Sequence, residues 1–129
     1  MLQLIQQLEN YTECWKQFIH FVNVARSKKF EADEENQFLE LKTVIVQHLE
    51  IILSTIESGT PAKDDVLALI SGAPSLRYLS ELSDGSFRNL ECNWHKIYIG
   101  WHSVLGQLKV ANRQHEDRSM LGSFFDRRK

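Results

Sequence analysis

The stretch LECNWHKIYIGWHSVLGQLKVA, residues 90–111, decides the fold of this chain. Its apolar residues recur in alternating steps of four and three, at Leu90, Trp94, Ile97, Trp101, Val104, Leu108 and Ala111. That spacing is typical of a long helix that packs against other helices along most of its length. The stretch therefore predicts a helical architecture and leaves the biochemical function open.

Two more long helices are predicted earlier in the chain. Residues 2–27 repeat the four-three spacing, with Leu4, Leu8, Tyr11, Trp15, Phe18, Val22 and Ala25 on the apolar side. A second helix is expected from the acidic residues near Asp33 to Ser58-Gly59, where the glycine suits a helix C-terminus. The wide apolar surface of this second helix predicts that it lies centrally and is contacted on several sides.

The segment between residues 61 and 82 is predicted to be a broken helix. Thr60 is expected to be the N-cap of a short helix, with Pro61 as its first residue. Gly72-Ala73-Pro74 interrupts the pattern, and Ser75 can cap a second short piece. This segment would therefore lie against the long helices as a kinked fourth member.

Three long helices of similar length, each about 25 residues or roughly 37 Å, are expected to pack side by side. The last helix is expected to end after about Asn112. Within this helix, Gly100 leaves room for another backbone to approach. We therefore predict an all-α, up-and-down helical bundle of three long helices plus a short broken helical segment, similar to a four-helix bundle. Residues 1–119 form one domain, and residues 120–129 form a C-terminal tail that is docked or partly disordered.

The bulk composition is that of a globular protein, with 43% hydrophobic and 25% charged residues. A formal net charge of −2 gives no field that would attract nucleic acid or anionic lipid to the whole molecule, so we expect neither nucleic acid nor a membrane as a partner. The first residues lack the basic flank and apolar core of a signal peptide. Cys14 and Cys92 form no CxxC pair, and we expect a cytoplasmic protein with reduced thiols.

A stripe of polar and aromatic residues on the last helix is the candidate ligand-binding site. Glu91, His95, Tyr98 and His102 follow one another in steps of four, three and four. Glu91 is one turn from His95, where a carboxylate can orient an imidazole. His95 and His102 are about 10.5 Å apart along the axis, too far for both to bind one metal ion directly, so we predict no metal site and no cofactor. The structural interpretation of the stripe is that its histidines lie half covered at the edge of the bundle.

Arg88, Asn89, His95 and Tyr98 form a second pattern. Six residues separate Arg88 from His95, and Tyr98 lies three residues beyond the histidine. Over residues 88–98 this pattern loosely resembles the RNase signature of the HEPN family of small all-helical domains, in which the aromatic residue stands two residues past the histidine. The resemblance implies metal-independent RNA cleavage across a dimer interface, with His95 as the acid–base and Arg88 stabilising phosphate charge. Arg88 and His95 are therefore the candidate catalytic residues.

The C-terminal segment is apolar after a polar stretch, and it either folds back onto the bundle or docks onto another chain. We assign Phe124 and Phe125 as candidate interaction residues. The sequence favours a non-catalytic helical protein–protein interaction module that forms a homodimer or binds another protein. The alternative is a small helical enzyme, or a ligand- or metal-binding bundle, that uses the residues of the two patterns above: Arg88, Glu91, His95, Tyr98 and His102.

Overall fold

The structure, a computed structural model, describes residues 2–56 and 61–127, with the side chains of residues 118–127 left out. Five helices follow one another in the described chain: α1 (Leu2–Ser27), α2 (Ala32–Thr55), α3 (Lys63–Ser71), α4 (Leu76–Ser80) and α5 (Asp84–Arg127). The predicted all-α helical bundle is confirmed. The predicted seam of α5 is also found, since Leu90, Ile97, Trp101 and Val104 are buried and Trp94, Leu108 and Ala111 are partly buried.

The centre of the bundle is α1, which contacts α2, α4 and α5 most extensively. Its buried side is wide: Ile5, Leu8, Tyr11, Thr12, Trp15, Phe18, Phe21, Val22 and Ala25. The phenol of Tyr11 donates a hydrogen bond of 2.9 Å to the carbonyl oxygen of Ile45 on α2, and its ring meets that of Trp101 on α5 edge-on at 5.3 Å. Tyr11 therefore connects the three long helices.

The predicted central position of α2 is wrong. Only one side of α2 is buried, through Phe38, Ile45, Leu49 and Ile52. Val44, Val46 and Ile51, which widened its apolar surface in the sequence, are exposed. The buried side of α1 is broad enough to hold α2 on one flank and α5 on the other, and the one packed side of α2 contacts α1, α3 and α4. The helix ends at Thr55, and the expected terminus at Ser58-Gly59 lies outside the described residues.

The broken segment differs from its prediction at its start. The N-cap of α3 is Ala62, so Pro61 precedes the helix instead of being its first residue, and Thr60 lies outside the described residues. The reason is packing: the buried ring of Pro61 sits against Gly100, where an added Cβ would lie 2.8 Å from Pro61 Cγ. The sequence predicted that another backbone would approach Gly100, but the group that approaches it is the side chain of Pro61. Ser75 caps α4 as predicted, because its Oγ accepts a hydrogen bond of 3.0 Å from the backbone N–H of Tyr78.

The last helix is much longer than expected, since it continues past Asn112 to Arg127. It runs antiparallel to α1, as the ion pairs Arg26–Glu91 and Glu9–Lys109, both 2.9 Å, show at opposite ends. By this pairing the first residue of α1 lies opposite about residue 116 of α5. Residues 117–127, which we call the projection of α5, therefore extend about 16 Å beyond α1.

The predicted C-terminal tail thus has a helical backbone up to Arg127. The side chains of Phe124 and Phe125 lie outside the described part of the chain, and their assignment as interaction residues stays a prediction.

Candidate functional site

The stripe on α5 does not form the arrangement that a carboxylate-oriented histidine requires. Glu91 Oε1 accepts a hydrogen bond of 2.9 Å from Arg26 Nη1 on α1, so this carboxylate is engaged across the helix interface and not with His95. The guanidinium of Arg26 also lies over the ring of Phe87, 5.5 Å from its centroid. Glu91 therefore helps to join α1 and α5 at the surface, where such an ion pair contributes at most about 1 kcal/mol.

The aromatic members of the stripe stack on one another along α5. The rings of Trp94 and Tyr98 are nearly parallel, at 4.7 Å and 14°, and Tyr98 meets the exposed imidazole of His102 edge-on at 4.4 Å. Trp94 Nε1 donates a hydrogen bond of 2.8 Å to the backbone carbonyl of Trp15 on α1. These contacts fasten α5 to α1 and satisfy the indole N–H, which is the structural role expected of half-buried aromatic residues.

The five candidate residues do not line one pocket. Glu91 and His95 border a shallow depression of about 600 Å³ together with Ile19, Asn23, Cys92, Trp94 and Lys96. Arg88, Tyr98 and His102 are not part of its lining. Arg88 and His95 are both exposed, so neither the phosphate-binding nor the acid–base role has a desolvated site within one copy of the chain.

The metal-binding side chains and the thiols of the described residues are the next candidates for chemistry. No group of three or more His, Cys, Asp or Glu residues is placed there to hold a metal ion. Burial and the charge of Glu13 raise the pKa of the Cys14 thiol above its ordinary value, which lowers the population of the reactive thiolate. Cys14 is half-buried, Cys92 is exposed, and both are free.

A deeper cleft, which the sequence did not predict, lies between α3, α4 and α5. Its volume is about 530 Å³, within the range of small-ligand pockets. The floor is apolar and polar groups stand around it: Leu69, Leu82, Leu90 and Ile97 with Asp65, Ser86, Asn93 and Lys96. No histidine or cysteine lines the cleft, and Ser86 Oγ accepts a hydrogen bond of 3.0 Å from Ser83 Oγ. The cleft offers binding surface without a nucleophile paired to a base.

The break at Gly72-Ala73-Pro74 explains the cleft. It separates α3, which contacts α5, from α4, which contacts α1 instead, and so the start of α5 is left uncovered on one side. The lining comes from three successive helices, so the cleft depends on how these helices pack and not on the residue spacing within any one of them.

The side of α5 that points away from the bundle is the second feature that the structure adds. We call it the outer face; its positions in the described part of the chain follow one another in steps of four and three: Ile99, Ser103, Gly106, Val110, Arg113 and Asp117. They lie about half a turn from the buried Trp101 and Val104. Ile99 is 53% exposed and Val110 is 57% exposed. The helix surface beside Gly106 and Val110 is nearly flat.

The character of the inward side changes where α1 ends. From Phe87 to Leu108 the inward positions are apolar and packed against α1. Farther along, Asn112 and His115 are the inward positions by helical spacing, and both are polar. The inward side of α5 therefore turns from apolar to polar near the end of α1.

None of the described helices is long and apolar enough to cross a membrane. In comparisons with protein families, curated proteins and solved structures, no match to this chain was found. Function is therefore inferred from the residues themselves.

Proposed function

We propose that this protein is a non-catalytic α-helical association module whose first partner is a second copy of the same chain. The observation that carries this proposal is the exposure of two large apolar side chains on the outer face of α5. Ile99 is 53% exposed and Val110 is 57% exposed. A straight helix cannot bury this side against its own bundle.

Self-association is the simplest way to cover the outer face. A two-fold dimer uses the same surface on both copies, so one apolar face can bury itself without a different partner. Ile99 and Val110 are eleven residues apart, about three helical turns, and so lie on the same side of α5.

Solution mass measured by light scattering tests the proposal. We expect the full chain to be a dimer at micromolar concentration, and Val110→Glu and a chain truncated after Ser119 to be monomers. Gln17→Glu is the matched control, because it places the same charge on an exposed position of α1 away from the outer face. A monomeric full chain, or a dimer that Val110→Glu leaves intact, overturns the proposal.

The catalytic alternative is tested separately with RNA. If Arg88 and His95 cleave RNA as the resemblance to the HEPN signature implies, the wild-type protein cuts a single-stranded RNA without metal and His95→Ala does not. We expect no difference between the two proteins, because both side chains are exposed and the nearby carboxylate of Glu91 is held by Arg26. Cleavage that depends on His95 would show that the protein is an enzyme and not a non-catalytic association module.

We place the protein in the cytoplasm. Cys92 is exposed and free, and an exposed thiol persists best in a reducing compartment. The raised pKa of the half-buried Cys14 also keeps that thiol protonated and slow to oxidise.

A further inference from the structure

We infer that the cleft between α3, α4 and α5 is a binding site for a free α-amino acid with a large apolar side chain. The ammonium group of this ligand lies at Asp65, its carboxylate lies at Lys96, and its side chain covers the apolar floor of the cleft. None of the outer-face positions lines the cleft, so binding of the amino acid does not require self-association.

The cleft is kept open by the contacts that hold α4. Leu76 and Leu79 of α4 are fully buried. The backbone N–H of Leu76 donates a hydrogen bond of 2.8 Å to Glu35 Oε2 on α2, and Lys42 Nζ on α2 donates one of 3.2 Å to the carbonyl oxygen of Pro74. These contacts hold α4 on the side of α1 and α2, away from α5. The cleft of about 530 Å³ is therefore formed before a ligand arrives, which reduces the free-energy cost of binding.

The two charged side chains of the cleft lie at the same end of it. Pro61, just before α3, contacts Gly100, and the chain returns from α3 through α4 to the start of α5. The helix α3 therefore runs antiparallel to this part of α5. Asp65 is four residues past Pro61 and Lys96 is four residues before Gly100, so both border the same end of the cleft. Asn93, one turn before Lys96 on α5, lines the cleft beside them.

The charges favour a ligand that carries both signs. Among residues 2–56 and 61–117, neither Asp65 nor Lys96 takes part in an ion pair, and both side chains are exposed at the rim of the cleft. A ligand whose two charges are close together can meet both groups at once, whereas a simple amine or carboxylic acid meets only one. A free α-amino acid bears its ammonium group and its carboxylate on one carbon atom, and both are charged at neutral pH.

The floor of the cleft favours a large apolar side chain on the ligand. Leu69, Leu90 and Ile97 are buried, and Leu82 is half-buried. The ring of Tyr78 borders the cleft and is 50% exposed. Leu82 lies two residues before α5 begins, away from the charged end of the cleft. An amino acid held at the charged end therefore lays its side chain along this floor, where a large aromatic or branched group removes most apolar surface from water.

Titration with L-phenylalanine, followed by the chemical shifts of the backbone amides, tests the site. We expect a dissociation constant at or below about 1 mM, with the largest shifts at Ala68, Leu69 and Leu82. 3-Phenylpropionate lacks the ammonium group and 2-phenylethylamine lacks the carboxylate, so each should bind at least about fivefold more weakly. The inference is overturned if either analogue binds as tightly as L-phenylalanine, or if L-phenylalanine does not bind below about 10 mM. Shifts centred on Ile19 and Asn23, beside the shallow depression, also overturn it.

Charge-removing variants test the two assigned contacts. Asp65→Asn should raise the dissociation constant of L-phenylalanine about fivefold and leave that of 3-phenylpropionate unchanged. Lys96→Gln should weaken L-phenylalanine to a similar extent and leave 2-phenylethylamine unchanged. Asp64→Asn is the matched control, because Asp64 is exposed and adjacent in sequence but does not line the cleft. An equal loss of affinity in Asp64→Asn shows that Asp65 is not the contact and overturns the inference.

Filling the cleft provides a test that does not depend on charge. Ala68 lines the cleft and is exposed, so Ala68→Trp places a large ring in the cleft without disturbing the core. We expect this variant to lose detectable binding of L-phenylalanine, and circular dichroism verifies that it folds. Unchanged affinity in the folded variant places the ligand elsewhere and overturns the inference.

Discussion

Replacing Gly100 by alanine should destabilise the fold, although alanine is the better helix former. An ideal Cβ at residue 100 would lie 2.8 Å from Cγ and 3.3 Å from Cδ of Pro61. The proline ring cannot rotate away like a flexible side chain, and it is buried between α5 and the start of the broken segment. The added methyl group must therefore push α5 and residue 61 apart.

The change in the free energy of unfolding that we expect for Gly100→Ala follows from two opposing effects. Glycine to alanine inside a helix stabilises by about 1 kcal/mol, whereas forcing an extra methyl group into a packed site costs about 1–3 kcal/mol. We expect a net loss of about 1 kcal/mol in the free energy of unfolding for Gly100→Ala. Gly106 in the same helix is the matched control, because a Cβ there meets nothing within 4 Å. Gly106→Ala should therefore gain close to the full 1 kcal/mol of helix propensity, about the value measured in exposed helices.

Urea unfolding followed by circular dichroism measures both changes. The variants are compared in a Val110→Glu background, so that dimer dissociation does not contribute to the transition. In the double variant Pro61→Ala/Gly100→Ala the ring atoms are gone, and the Gly100→Ala step should become stabilising. If Gly100→Ala stabilises as much as Gly106→Ala, the close approach of Pro61 to α5 is refuted.

Three further substitutions probe the contacts around α1 and α4. Trp94→Phe removes the indole donor to the carbonyl of Trp15 and should lower the free energy of unfolding by about 1 kcal/mol; an unchanged urea midpoint would contradict this. Tyr11→Phe removes the hydrogen bond to Ile45 and should cost about 1 kcal/mol at neutral pH. Burial raises the pKa of Tyr11, so its contribution is present at neutral pH and is lost as the pH rises above its ordinary value of 10.0. The phenylalanine variant should therefore lose stability less steeply in alkali, which urea titrations above that pH measure. Ser75→Ala removes the cap of α4 and should lower the melting temperature through a loss of about 1 kcal/mol; an equal loss in Ser71→Ala would show that capping is not the cause.

The sequence predicted α1 and the inner side of α5 because each buries a regular apolar stripe. It failed for α2, where Val44, Val46 and Ile51 are as apolar as the buried Ile45 and yet are exposed. The type of a residue does not show which helix is available to pack against it. That depends on α1, whose wide buried side leaves α2 at the periphery of the core.

The candidate site was harder to predict than the fold, for a physical reason. Helical spacing placed Glu91 one turn from His95, and this proximity is real in a single helix. The partner that Glu91 takes is Arg26, which is 65 residues away in the chain. Tertiary contacts of this kind, like the cleft between α3, α4 and α5, depend on how separate helices are packed and leave no local pattern.

The C-terminal part of α5 is the third place where the structure differs from the prediction. The polar stretch from Asn112 to Ser119 predicted that the helix ends near Asn112. The helix in fact continues, and the inward side turns polar because α1 ends there and no longer covers it. A helix that leaves its bundle needs apolar residues only where something else will cover it. On the outer face such residues are Ile99 and Val110, and both are exposed. Under the proposed self-association, the loss of the inner pattern marks the point where packing within the chain gives way to pairing between chains.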